Sequence, residues 1–217
     1  SFTIEKQMLD VGQYFAYKGQ VPSKMSLNVA SGSLTTMSID FMGLGTVRNT
    51  SSNIAGTTTN TVSLAYTGHS AVSNPQSLIW EGGAPTAGMY IKSIAIEYDN
   101  AIRQQSAIGS LAPVDVAAGT IAAKATLSMY FANGTIYDKF IANTSTSLIM
   151  ASLDPSGNGY VFTMPNCNIT SYKVTAGAKD QDMMAEVVVT LLEDRANATA
   201  ALRKVMMIDR VGVAVTP

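Results

Sequence analysis

The chain has 217 residues, enough for one large β domain or two small ones, with a formal net charge of −1 and only 13% charged residues. Globular proteins average about 25% charged residues, so a surface of Thr, Ser, Asn, Gly and Ala points to a subunit covered by partners. The charge balance excludes a global basic field for gripping nucleic acid, the single cysteine, Cys167, excludes an intrachain disulfide, and no run reaches the roughly 18 apolar residues of a membrane helix.

The first elements follow from period-2 alternation. Phe2 and Ile4 alternate with Thr3 and Glu5, which predicts a strand over 1–8, and Glu5, Lys6 and Asp10 interrupt any secretory apolar core. Ser1 in place of Met points to a trimmed chain or a longer precursor. Gly12, Gly19 and Pro22 predict turns within 9–24. Residues 25–42 carry a strand pair, with Met37, Ile39 and Phe41 alternating against Ser38 and Asp40. Gly43 to Thr61 is small and polar almost throughout, and a structureless segment of that length is a solvated loop or a functional arm. The arm reading orders Arg48, Asn49, Asn53, Thr58 and Asn60 against a neighbouring subunit.

Val62–Tyr66 and Ser77–Trp80 are short strand candidates. The Gly/Pro-rich stretch 81–88 is the expected linker between a first β half, 1–80, and a second, 89–217, unless both make one composite domain. Met89–Tyr98 alternates, and Ala101–Ile108 fits strand or short helix equally. From Ile121 the alternation is strict: Ile121, Ala123, Ala125, Leu127, Met129 and Phe131 point one way, and Lys124, Thr126, Ser128 and Tyr130 the other. Leu27–Phe41 echoes this grammar, since Val29 and Gly32 match Val116 and Gly119 at one offset. Ile136, Tyr137, Phe140 and Ile141 form a helical stripe, which predicts a helix over about 135–143. Ser147–Leu153 and Tyr160–Met164 read as a hairpin, and Cys167–Ala176 with Met183–Leu192 as a further strand pair. Ala196–Arg203 fits a helix and Val205–Ile208 a strand. If Met206 and Met207 are both covered, the last strand is buried on two faces. The sum is mainly β: two packed antiparallel sheets, a sandwich or half-open barrel, with one short α-helix.

Chemistry is sparse. His69 is the single histidine, and no G-x-S-x-G motif accompanies it. Cys167 lies in an apolar strand, where a thiol is a small core residue. The turn starting at Asp154 resembles the front of a calcium loop, but Pro165 stands where the bidentate Glu belongs. One His and one Cys cannot make a zinc cage. Asn-x-Ser/Thr triplets at Asn49, Asn133, Asn143, Asn168 and Asn197 follow from Asn and Thr abundance. Met37, Met129 and Met150 sit at alternating strand positions and read as core. No cofactor, metal or catalytic residue is expected, and the chain is read as not an enzyme. A β-sandwich binding or adhesin module for carbohydrate or protein is the alternative; it predicts exposed aromatics, yet aromatics are 7% with one Trp.

The second half shows an ordered series: the Gly109-Ser-Leu-Ala-Pro113 turn, the Gly119-led strand, the Tyr137-Asp-Lys-Phe140 helix, the Gly-turn hairpin closing at Met164-Pro165, and the Gly177 turn before a strand. This succession resembles the tail tube proteins of long-tailed bacteriophages, well over Ile91–Arg210 and loosely before it. The resemblance implies a structural virion protein in the phage tail, made in the host cytoplasm, with sheets that join into a ring, usually a homohexamer. Stacked rings would form a tube whose lumen conducts DNA during ejection. Itself, the tail terminator, the tape measure and distal tail proteins are the implied partners, with transient passage of DNA and no membrane. The candidate lumen-facing set is Lys124, Thr126, Ser128 and Tyr130, with Ser38 and Asp40 in the echo, and the segment 43–61 is the candidate inter-ring loop.

Overall fold

The computed structural model describes residues 1–51, 79–82, 90–131, 134–153, 158–179, 181–195 and 204–212. Among them the chain is mainly β with one short helix. The elements are β1 (Phe2–Met8), β2 (Gln13–Ala30), β3 (Thr36–Met42), β4 (Gly45–Asn49), β5 (Ile79–Glu81), β6 (Ile91–Asp99), β7 (Arg103–Gln105), β8 (Asp115–Ala117) and β9 (Ala122–Tyr130). Then come α1 (Thr135–Ile141), β10 (Thr146–Leu153), β11 (Gly159–Thr175), β12 (Met184–Leu192) and β13 (Met207–Val211). The short strand expected at Val62–Tyr66 and the helix expected at Ala196–Arg203 lie outside the described residues.

The chain divides into two compact units, each assembled from three segments. The first comprises Ser1–Met25, Ser38–Tyr66 and Tyr98–Ala122, and the second Ser26–Met37, Thr67–Glu97 and Ala123–Pro217. In the first unit β2 is flanked by β1 and β4, both antiparallel to it. A separate antiparallel ribbon, β7–β8, projects the loop 106–114. In the second unit the strand order is β2-β6-β9-β12-β11-β10-β5, with β13 also on β11.

Two long strands pass through residues that look like breaks. Gly19 and Pro22 lie inside β2 rather than in turns. Gly19 has φ +65, and the β1–β2 register shifts just beside it, between Phe2 and Ile4. A glycine in left-handed conformation absorbs the extra residue of a bulge, so the strand bends and continues. Pro165 likewise lies inside β11, where the β10 register shifts between Thr146 and Leu148. Inward residues change parity there, from Phe162 and Met164 to Cys167 and Ile169. The hairpin strand and the following strand expected from the sequence are therefore one element.

Among the described residues most of the buried core lies in the second unit. Ala123, Ala125, Leu127 and Met129 of β9 are buried, as are Ala185, Val187, Val189 and Leu191 of β12. Leu148 and Met150 of β10 and Ile94 and Ile96 of β6 complete the layer. Helix α1 adds buried Ile136, and the rings of Tyr137 and Phe140 pack on Tyr172 of β11 at centroid distances of 5.6 and 6.5 Å. The helix stops before the expected residue 143. The N–H of Asn143 donates to the Phe140 carbonyl at 3.2 Å and that of Thr144 to the Lys139 carbonyl at 3.0 Å, with Asn143 at φ 49. This is a Schellman ending with asparagine in the left-handed position.

Other expectations need correction. Met129 and Met150 are core, but Met37 is 55% exposed, because β3 is open on both faces. Segment 43–61 contains β4, whose residues Gly45–Asn49 pair with β2 from Lys18 to Tyr14. Glu81, expected in the linker, ends β5 and is buried. The final strand, β13, is exposed along its whole length, and Met207 with it. Gly32 stands between β2 and β3 and Gly119 between β8 and β9, and the two glycines do different work. Gly32 has φ +82 in open space, whereas a side chain on Gly119 would meet the Ala101 carbonyl oxygen at 2.5 Å.

Candidate functional site

The strict alternation of β9 places Lys124, Thr126, Ser128 and Tyr130 together on the sheet face opposite the core. Across the ladder, Thr190 stands opposite Lys124, Val188 opposite Thr126 and Glu186 opposite Ser128. On the next strand Lys173 stands opposite Glu186 and Ser171 opposite Val188. The Thr190 hydroxyl donates to that of Thr170 at 3.4 Å, which in turn donates to the Val188 carbonyl at 3.2 Å. Glu97 of β6 pairs with Lys124 at 3.1 Å. The face thus carries hydroxyls, Val188, two carboxylates and two ammonium groups, with Lys124 ion-paired to Glu97 and Lys173 standing across the ladder from Glu186. Exposed pairs of this kind add little stability; their effect is to cancel the local field.

The other expected site residues stand on other strands or outside the described residues. Ser38 and Asp40 are exposed on β3, and so are Met37, Ile39 and Phe41 on the reverse face of that strand. Arg48 and Asn49 stand on β4, opposite Phe15 and Tyr14. Asn53, Thr58 and Asn60 lie outside the described residues, as does His69.

Groups with reactive side chains are used internally. Cys167 is fully buried, and its thiol donates to the Met164 carbonyl at 3.5 Å. Burial, with a small addition from the Glu81 charge, pushes its pKa up to about 12. A thiol held neutral in this way is a poor nucleophile. Glu81 has a side chain only 7% exposed and takes both its charge partner and a hydroxyl from nearby elements. Lys139 of α1 donates to its two oxygens at 2.6 and 2.8 Å, and Thr146 of β10 donates to it as well. Nothing in the residue pattern signals this cluster, because Glu81 stands in a Gly-rich stretch that reads as a linker. The adjoining cavity, lined by Leu127, Met129, Ile136, Cys167 and Val187 among others, holds about 20 Å³. Small-molecule sites occupy roughly 300–1,000 Å³, so this cavity is a packing gap.

The first unit holds an open cleft of about 400 Å³ between Gln20, residues 43–46 and Leu111–Pro113. Beside it the 106–114 loop is firmly built. The Ser110 hydroxyl donates to the Ala112 carbonyl at 2.6 Å, Val114 N–H to the Gln105 carbonyl at 2.8 Å, and the Gln104 amide to the Gly43 carbonyl at 2.6 Å. This frame holds Ile108 and Leu111 entirely in the open. Sequence reasoning placed Gly109–Pro113 in a turn but did not single out these two side chains.

Among the described residues, what stands out is an exposed polar sheet face and exposed apolar strands and loop, with the Cys167 thiol and the Glu81 carboxylate turned to packing. Such a distribution suits assembly more than catalysis. No curated protein matches the chain. A family model described as phage tail tube protein matches residues 1–191, most of the chain and all the strands named above except the end of β12 and β13, and the chain belongs to that family.

Proposed function

We propose that the protein is a ring-forming subunit of the tail tube, with the polar face of β6, β9, β12 and β11 turned to the lumen. Copies close into rings of six, rings stack, and DNA slides through the channel into the host. The tail terminator, tape measure and distal tail proteins meet the tube at its ends or inside it, and segment 43–61, including Arg48, Asn49, Asn53, Thr58 and Asn60, bridges successive rings. Ser38 and Asp40 extend the lumen surface from β3.

The observation that carries this reading is the cancelled charge of the face. Lys124 sits at 3.1 Å from Glu97, and Lys173 faces Glu186 across the ladder. A basic lumen would hold phosphates by releasing their counterions. A strongly acidic one would resist their entry. Paired charges among hydroxyls leave DNA free to slide.

The test has two parts. Electron microscopy of the purified protein is expected to show rings or tubes with a central channel. Assemblies of the double variant Glu97→Gln/Glu186→Gln, which leaves the two lysines unopposed, are expected to retain DNA in a salt-dependent manner where the parent does not. If the variant and parent retain DNA equally at low salt, this face does not line the channel.

A further inference from the structure

Helix α1 and strand β5 are each too short to hold themselves in place. α1 has seven residues, no side-chain cap at Gly134 and one buried residue, Ile136. Isolated helices need about 12 residues or more to be even marginal in water. β5 has three residues and lies along Leu148–Met150 of the eight-residue β10. Between the two elements stands the buried carboxylate of Glu81. Lys139 of α1 donates to its oxygens at 2.6 and 2.8 Å, and the Thr146 hydroxyl of β10 donates to it too. Beside it the Gly82 N–H donates to the Ser147 carbonyl at 2.9 Å, which ties the end of β5 to the start of β10. Under the cluster lies the packing gap that Cys167 and Ile136 line together with Glu81. Cys167 is fully buried and stands opposite Thr146 in the ladder. All these residues belong to the second unit.

We infer that Glu81, Lys139 and Thr146 form a clasp that makes α1 and β5 one opening unit over Cys167 and the edge of β10, so that the second unit opens here before its main sheet does. The charge pair supplies the coupling. Displacing α1 or β5 alone separates Lys139 from Glu81 at the rim of the core, and a charge left there unpaired is strongly destabilising. Displacing both together carries the pair into water, where two hydrated charges lose little by parting. Joint movement is therefore the easiest way out. The burial it gives up is modest: it uncovers Ile136 and three ladder positions of β10. β9 and β12, by contrast, each hold four buried hydrophobic side chains and have a strand on both sides. Openings with few buried apolar contacts lie at the low-stability end of a fold. An uncovered strand edge is a template for wrong pairing, and the clasp keeps this one covered.

The Cys167 thiol is a built-in reporter of this opening. Dilute full chain is incubated with iodoacetamide over a series of low urea concentrations, and alkylation of Cys167 is followed by mass. Hydrogen exchange of the α1, β5, β9 and β12 amides is followed under the same conditions. The parent is expected to label through an opening that depends on urea more weakly than exchange in β9 and β12, because it exposes less surface. Lys139→Met is expected to speed labelling on the order of a hundredfold. The α1 and β5 amides are expected to speed by the same factor, with β9 and β12 changed far less. Thr146→Val keeps the ion pair and the branched shape, and is expected to speed labelling roughly tenfold; it serves where the lysine variant does not fold. Adding Glu81→Gln to Lys139→Met is expected to return most of the protection. Parent labelling with the same urea slope as β9 and β12 exchange overturns the inference, since Cys167 is then reached only when the whole unit unfolds. Exchange of α1 amides at a rate unlike that of β5 overturns it too, since the two then open separately. Labelling that neither variant changes does the same.

Discussion

The thiol of Cys167 is protonated in both folded and unfolded chains below about pH 8.5, the ordinary cysteine value. In the folded protein burial raises its pKa to about 12. The stabilising contribution is therefore full below the ordinary value and is lost as pH climbs towards the folded one. Across that window the unfolded chain has released a proton that the folded chain still holds, so stability falls by up to about 1.4 kcal/mol per pH unit. Urea denaturation of dilute protein between pH 8 and 11 is expected to show this decline, and Cys167→Ala is expected to flatten it. An equal slope in the variant would assign the decline to other groups. Asp99 works in the opposite sense. The Ala101 N–H at 2.7 Å, with Lys24 at 3.1 Å, holds its carboxyl below the usual range. Its contribution is present at neutral pH and fades on acidification. The same bond fixes Ala101 at φ 46, and that places its carbonyl where only Gly119 can pass.

At the scale of elements, the second unit ties α1, β5 and β10 together through one ion pair. Lys139 on the helix meets Glu81 at the end of β5, and Thr146 at the start of β10 completes the cluster. A buried pair is weak evidence for net stability, but removing one partner leaves an uncompensated charge. Lys139→Met alone is expected to destabilise by about 3 kcal/mol. Adding Glu81→Gln is expected to recover most of that loss, because the amide still accepts from Thr146 without a charge to solvate. Urea midpoints of the two variants check this. A single variant as stable as the parent would mean that water reaches Glu81 freely. The stripe that signalled α1 is used unequally: Ile136 is buried, Tyr137 and Phe140 pack on Tyr172, and Ile141 is 64% exposed.

For the whole molecule, the uneven core has a consequence independent of assembly. Local stability follows local burial, and among the described residues almost all the buried hydrophobic side chains lie in the second unit. Limited proteolysis of dilute, unassembled protein is expected to cut segments 1–25 and 98–122 before 123–153 and 158–179. First cuts within β9 or β12 would show that stability is distributed differently from burial.

The sequence by itself determined the class of fold, the two faces of β9, the helix and the order of turns that resembles tail tube proteins. These are local features, since period-2 and helical spacing are written in neighbouring residues and hold wherever the element packs. Tertiary structure decided what neighbours do not encode. Gly19 and Pro165 became bulges in long strands because adjacent strands supplied the ladder on either side of them. Glu81 became a buried anion because a helix more than fifty residues later carries Lys139. Met37, Ile39 and Phe41 alternate as faithfully as Leu127 and Met129, yet stand open, because alternation shows which residues share a face, and only packing shows whether anything covers it.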